Sequence, residues 1–167
     1  ICCTIQEDLK LTLLNLLTKM QKGLIKKFNK VIIETTGLAD PVPIIHTLMT
    51  SIDLLRAYKF DGIITVVDVI NADKTFNNHS ESLKQVAFAN KVILSKVDLG
   101  NEKKIQNLIT RISKINSKAS VIKSKKDLLA IKEFYGLNDY QPNTESWDVR
   151  QWLSEEKNKV KYSHDHK

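Results

Sequence analysis

Apolar residues along this chain fall into two alternating patterns. The first is a short, nearly continuous run: Val31-Ile32-Ile33, then Ile63-Ile64-Thr65-Val66-Val67, then Val92-Ile93-Leu94, then Val121-Ile122. Such runs predict strands over 30–34, 62–68, 91–94 and 120–122, of the kind buried in a parallel sheet. The second pattern repeats at helical spacing. Leu9, Leu13, Leu16, Leu17 and Met20 form a stripe over 4–22, with Thr4 and Glu7 placed to make a capping box and Gly23 to stop the helix. Pro41 and Pro43 open a second helix through Ile44, Ile45, Leu48 and Met49, because proline is favoured in a first turn. Residues 53–58 extend it or begin the next connection. A short turn over 72–76 and a helix over 80–89 precede the strand at 91–94. The clearest amphipathic segment is 101–116, with Ile105, Leu108, Ile109, Ile112 and Ile115 on one face. A last helix is predicted over 127–134. Strands alternating with helices predict an α/β protein built on a parallel sheet with right-handed crossovers.

Composition changes this picture little. The chain has 167 residues, of which 42% are hydrophobic and 27% charged, the balance of a soluble globular domain. No apolar run reaches the length of a membrane span and no signal-peptide pattern is present, so a cytoplasmic or similarly reducing compartment is expected. The net charge of +7 raises nucleic acid as a partner. The lysines are scattered, however, without interleaved aromatics or zinc-knuckle spacing, so nucleic acid is not expected. The chain begins at Ile1 rather than Met and ends in Ser163-His164-Asp165-His166-Lys167, which reads as a segment of a longer protein. From Tyr140 onward it becomes polar, with Pro142, Trp147 and Trp152, and reads as a linker with an aromatic anchor.

Chemistry concentrates where strands end. The run 31–33 leads into Glu34-Thr35-Thr36-Gly37-Leu38-Ala39-Asp40-Pro41. In parallel sheets ligands bind at the carboxyl ends of strands, and an acid there usually faces a metal ion, a ligand or a paired charge. The geometry suits a nucleotide's phosphate end, with Glu34 near magnesium or the attacking water and Gly37 offering its N–H to the terminal phosphate. The plainer alternative is a strand that ends in a helix-capping loop. The strand at 91–94 leads into Ser95-Lys96-Val97-Asp98-Leu99. There the Lys96 stem can cover a purine plane, while the Asp98 carboxylate accepts from the guanine N1–H and exocyclic amino group. Adenine presents the opposite pattern at those positions. The only cysteines, Cys2 and Cys3, are adjacent and cannot readily form a disulfide with each other. They read either as metal ligands or redox groups, or as two small buried apolar residues.

With these stretches in place the chain resembles the CobW-type metallochaperones among the P-loop GTPases, relatives of HypB and UreG. The resemblance covers Ile1 to about Gly136. Ile1-Cys2-Cys3-Thr4 is similar to the end of the family's Cys-x-Cys-Cys metal motif, followed by its acidic-leucine pair at Asp8-Leu9. Glu34 to Pro41 resembles its Walker B variant. Thr65-Val66-Val67-Asp68 and Gln85-Val86-Ala87-Phe88-Ala89 resemble its next signatures, and Ser95 to Leu99 its guanine motif, with Ser95 where Asn is usual. The His-Asp-His ending resembles the histidine-rich stretch that often precedes a C-terminal domain.

The resemblance implies a P-loop NTPase fold lacking its N-terminal part, since no Gly-x-x-x-x-Gly-Lys-Ser/Thr loop occurs in residues 1–167. In the family, that loop follows a strand lying between the two strands here expected at 31–34 and 62–67. Residues 1–138 would be a partial GTP-binding domain and 139–167 a linker toward a further domain. The parent would couple GTP binding and hydrolysis, with Mg2+, to delivery of zinc or cobalt to a target protein, and a homodimer of the parent is within what the resemblance implies. Glu34 would be catalytic, Gly37, Ser95, Lys96 and Asp98 would bind nucleotide, and Cys2 and Cys3 would hold metal. The alternative is a non-catalytic fragment or degenerate homologue that serves as a protein-interaction module.

Overall fold

A computed structural model describes residues 3–124 together with 137, the side chains of 3–5 excepted. The described chain forms two compact units that divide at Phe60 and Asp61.

The first unit is helical. α1 (Cys3–Gln21) ends as its sequence suggests. Gly23 takes a left-handed φ of 70°. Its N–H reaches the Met20 carbonyl at 3.1 Å while the Leu24 N–H reaches Lys19 at 2.9 Å, a Schellman closure that a side chain at Gly23 would strain. At its other end the helix already includes Cys3, which puts Thr4 inside it rather than at the expected cap position. The leucine stripe faces α2 (Val42–Thr50) and α3 (Ile52–Ala57) within its own unit. Leu13 is buried there, and the Tyr58 hydroxyl donates to its carbonyl at 2.8 Å. The uncertain stretch after Thr50 is a separate short helix, because Ser51 turns extended between α2 and α3.

The expected strand over 30–34 does not form. Residues 31–36 carry no regular structure, and Ile32 is 78% exposed. A parallel strand satisfies its backbone only on a neighbour, and the described strands pair solely among themselves.

The second unit holds the sheet. β1 (Ile64–Asp68), β2 (Lys91–Ser95) and β3 (Ser120–Lys123) lie in the order β1-β2-β3, all parallel. α4 (Ala72–Asn78) and α5 (Ser80–Ala87) connect the first pair of strands, and α6 (Glu102–Ile115) the second. Val67, Val92 and Leu94 pack with Phe76, Val86, Ile105, Leu108 and Ile112 in one core. Central β2 is buried along its whole middle, as expected of a strand covered on both sides. β1, at the edge of the described sheet, was expected to be buried too, yet Val66 is 64% exposed. Asn101 caps α6, its Oδ1 accepting from the Lys104 N–H at 2.8 Å. The helix expected over 127–134 and the polar region from 140 lie outside the described residues. Among the described residues no helix is long and apolar enough to cross a membrane.

Candidate functional site

At the carboxyl end of the sheet, β1 and β2 finish side by side, Asp68 in register with Ser95. The Val69 N–H continues the ladder to the Ser95 carbonyl at 3.1 Å, and the Ser124 N–H reaches Leu94 at 2.8 Å. Beyond Ser95 the chain reverses sharply. Lys96 sits in the left-handed region at φ 57° and ψ 34°, and a 3-10 turn follows at Val97–Leu99. The Leu99 N–H closes back on the Lys96 carbonyl at 3.1 Å. This turn carries Asp98, whose side chain lies at the surface. Gly100 lets the turn sit tightly against the residue that follows β1, since a Cβ there would lie 2.7 Å from Val69 Cγ1. The Ser95 hydroxyl donates to the Val67 carbonyl at 3.4 Å, a long bond that directs it toward the neighbouring strand.

Asp68 ties this arrangement together. Its Oδ1 accepts from the Ile70 N–H at 2.7 Å and the Asn71 N–H at 3.3 Å. Its Oδ2 accepts from Asn71 Nδ2 at 2.9 Å and from Lys96 Nζ at 2.7 Å. Partial burial by itself would raise the Asp68 pKa. The bonds from Lys96, from the Asn71 side chain and from the two backbone N–H groups outweigh it and hold the carboxyl at about 2. In the sequence Asp68 stands only as the end of Thr65-Val66-Val67-Asp68, with no role of its own. The signal was present all the same: Asp68 is an acid at the carboxyl end of an apolar run that predicts a strand, just as Glu34 is.

Ser95, Lys96 and Asp98 are thus gathered on one corner of the second unit. Glu34 and Gly37 belong to the first unit, where both are exposed. The Ala39 N–H bonds the Thr36 carbonyl at 3.0 Å, so Gly37 and Leu38 form the middle of a turn. Asp40 Oδ1 then accepts from the Val42 N–H at 2.9 Å at the start of α2. A Cβ at Gly37 would meet nothing within 4 Å, and its φ is not positive. Neither packing nor backbone geometry within the described residues calls for glycine there. Cys2 lies outside the described residues, and Cys3 opens α1 with its side chain outside them. Among the described residues no three His, Cys, Asp or Glu side chains gather as a metal site.

The profile of the CobW/HypB/UreG family, nucleotide-binding domain, matches residues 1–123. The chain belongs to this family. It is 38% identical over 121 residues to the zinc chaperone YjiA of Escherichia coli, a match covering 72% of this chain and 37% of that protein. The zinc-regulated GTPase metalloprotein activator 1 of Dictyostelium discoideum is 31% identical over 172 residues, covering 87% of this chain and 35% of its own length. Its counterpart in Schizosaccharomyces pombe is 32% identical over 154 residues, with coverages of 89% and 36%. The crystal structure of the Zn(II)-bound YjiA GTPase from E. coli superposes with a TM-score of 0.71 at 33% identity, over 77% of this chain and 40% of that one. That likeness places the parallel α/β architecture within the P-loop GTPase fold. The chain spans little more than a third of the length of these curated relatives.

Proposed function

We propose that this chain is the base-reading part of a GTP-binding and GTP-hydrolysing metallochaperone that hands zinc to a target protein. The observation that carries the reading is the Lys96-Val97-Asp98 turn at the carboxyl ends of β1 and β2, in a member of this family. Asp98 accepts from the two guanine N–H positions, the Lys96 stem covers the purine, and Ser95 lines the pocket beside them. Gly37 offers its N–H to the terminal phosphate. Its glycine, which the described neighbours do not require, is consistent with close approach by a ligand. Glu34 supplies a hard oxygen donor suited to Mg2+ or to the attacking water. Mg2+, when bound, offsets charge on the phosphate oxygens.

Zinc is the cargo rather than a resident cofactor. Cys2 and Cys3 are soft thiolate donors that suit it, and the relatives are named as a zinc chaperone and zinc-regulated GTPase activators. Such thiols stay reduced in a compartment such as the cytoplasm. Those same names weigh against the non-catalytic interaction module.

Exchange of Asp98→Asn in the full-length protein tests the reading. It replaces an acceptor with a donor facing the guanine N–H groups, at a cost on the order of 1–3 kcal/mol for each donor left unpaired. GTP affinity should fall tenfold or more while xanthosine triphosphate, which presents an acceptor there, gains. Unchanged GTP affinity would overturn the guanine assignment.

A further inference from the structure

We propose that Asp68 is a positioning residue for the nucleotide site: it anchors the Lys96 ammonium on the end of β1, and so sets the lysine stem and the Asp98 turn before nucleotide arrives. This inference rests on the guanine reading above.

Three features of the second unit carry it. The first is the acceptor itself. Four donors converge on the Asp68 carboxylate, three of them from Ile70 and Asn71 immediately downstream, so it is fixed independently of the lysine. A carboxylate held in that way can orient a long side chain, whereas a mobile one would simply follow it. The second is the backbone of Lys96. A residue with a Cβ seldom occupies φ 57°, and it persists there only when surrounding contacts over-determine it. The Leu99 N–H holds Lys96 through its carbonyl, Asp68 holds it through its ammonium, and Asp98 follows two residues later. The third is exposure. The Lys96 side chain is 54% exposed and that of Asp68 26%. Ion pairs this close to solvent contribute little to folding, so the pair matters more for geometry than for stability. Lysine has a long flexible stem, and ordering it only on binding would weaken affinity. Holding its tip in advance removes part of that loss. The stem itself remains accessible to a base plane.

The roles are therefore distinct. Lys96 and Asp98 touch the base, while Asp68 acts through Lys96 alone. Asp68→Asn tests this in the full-length protein, because the amide oxygen can still accept from the Ile70 and Asn71 N–H groups while the charge facing Lys96 is lost. GTP affinity should fall about three- to tenfold, toward the lower end of the coupling seen between neighbouring residues. In a Lys96→Met background the same exchange should produce no further loss. Melting temperatures of the four proteins control for general damage, which would weaken binding equally in both backgrounds.

If Asp68→Asn leaves GTP binding unchanged or tightens it, or weakens it equally with and without Lys96, the inference is overturned. Asp98→Asn is run alongside. A shift toward xanthosine triphosphate together with any of those results leaves the guanine reading standing and removes only the role of Asp68. No shift removes the guanine reading, and this inference with it. Should Asp68→Asn fail to fold, the wild type still decides. The Lys96 15Nζ resonance, assigned by its loss in Lys96→Met, should show slowed proton exchange both before and after GDP binding. Fast, solvent-like exchange in the free protein would overturn the inference.

Discussion

Asp68 has a carboxyl pKa of about 2 against an ordinary 3.8, and this gives it a defined part in acid stability. A carboxylate whose folded pKa is depressed stabilises the native state above its unfolded pKa, and that contribution disappears as pH falls through the folded value. The stability difference between wild type and Asp68→Asn should therefore be constant above about pH 5 and shrink between roughly pH 4 and 2. Thermal melts of both proteins across that range measure it, and a difference independent of pH would show that the Asp68 bonds do not favour its ionised form. Cys2 and Cys3 give a second prediction at this scale. Two adjacent thiols supply half the ligands of a typical zinc site, and the described residues gather no cluster of three or more metal-ligating side chains to complete it. Residues 1–167 taken alone should bind zinc weakly in competition with a chromophoric chelator. A tight one-to-one complex abolished by Cys2→Ser or Cys3→Ser would mean that the remaining ligands come from within this chain. That Ser95, Lys96 and Asp98 lie together was legible because a short loop after a strand keeps its residues together however the strand pairs.

At the scale of elements, most helices and strands follow from local pattern, and the junctions between them depend on particular polar side chains. Asn116 ends α6 and ties it to the preceding layer. Its Nδ2 lies 3.1, 3.0 and 2.9 Å from the carbonyls of Val86, Ala87 and Ala89. Its Oδ1 accepts from the N–H groups of Lys118 and Ala119 ahead of β3. Removing this side chain takes a donor from the Ala87 and Ala89 carbonyls, while the Val86 carbonyl keeps the Ala89 N–H. Asn116→Ala should cost about 1–3 kcal/mol, visible in chemical denaturation, and leave guanine preference unchanged because the contacts lie away from Asp98. Gly62 marks the entry to β1. Its φ of 146° and the 2.6 Å that would separate a Cβ from Leu137 Cβ both exclude a side chain. α6 was readable from its apolar spacing alone. The strand over 30–34 was not, since Val31, Ile32 and Ile33 specify what a strand would bury but not whether a neighbour exists to pair with it.

For the whole molecule, the described fold gathers Ser95, Lys96 and Asp98 on one corner of the second unit, while residues 1–167 contain no Gly-x-x-x-x-Gly-Lys-Ser/Thr segment to supply N–H groups, a lysine and a magnesium-binding hydroxyl to the phosphates. This chain by itself is therefore expected to show no magnesium-dependent GTP turnover. Phosphate release measured on the purified 167-residue chain checks this, and turnover abolished by Asp98→Asn would show that phosphate binding is achieved by other groups within it. The parallel α/β class, the positions of β2 and α6, and the loop that carries Lys96 and Asp98 were determined by sequence, because helical bonds close within four residues and a central strand covered on both sides needs a continuous apolar run. Tertiary structure decided the rest. The failure of 31–36 to form a strand is a matter of pairing, and the Asp68–Lys96 bond joins groups 28 residues apart. Only the register that sets Asp68 beside Ser95 brings that pair together, and register is a property of two strands at once.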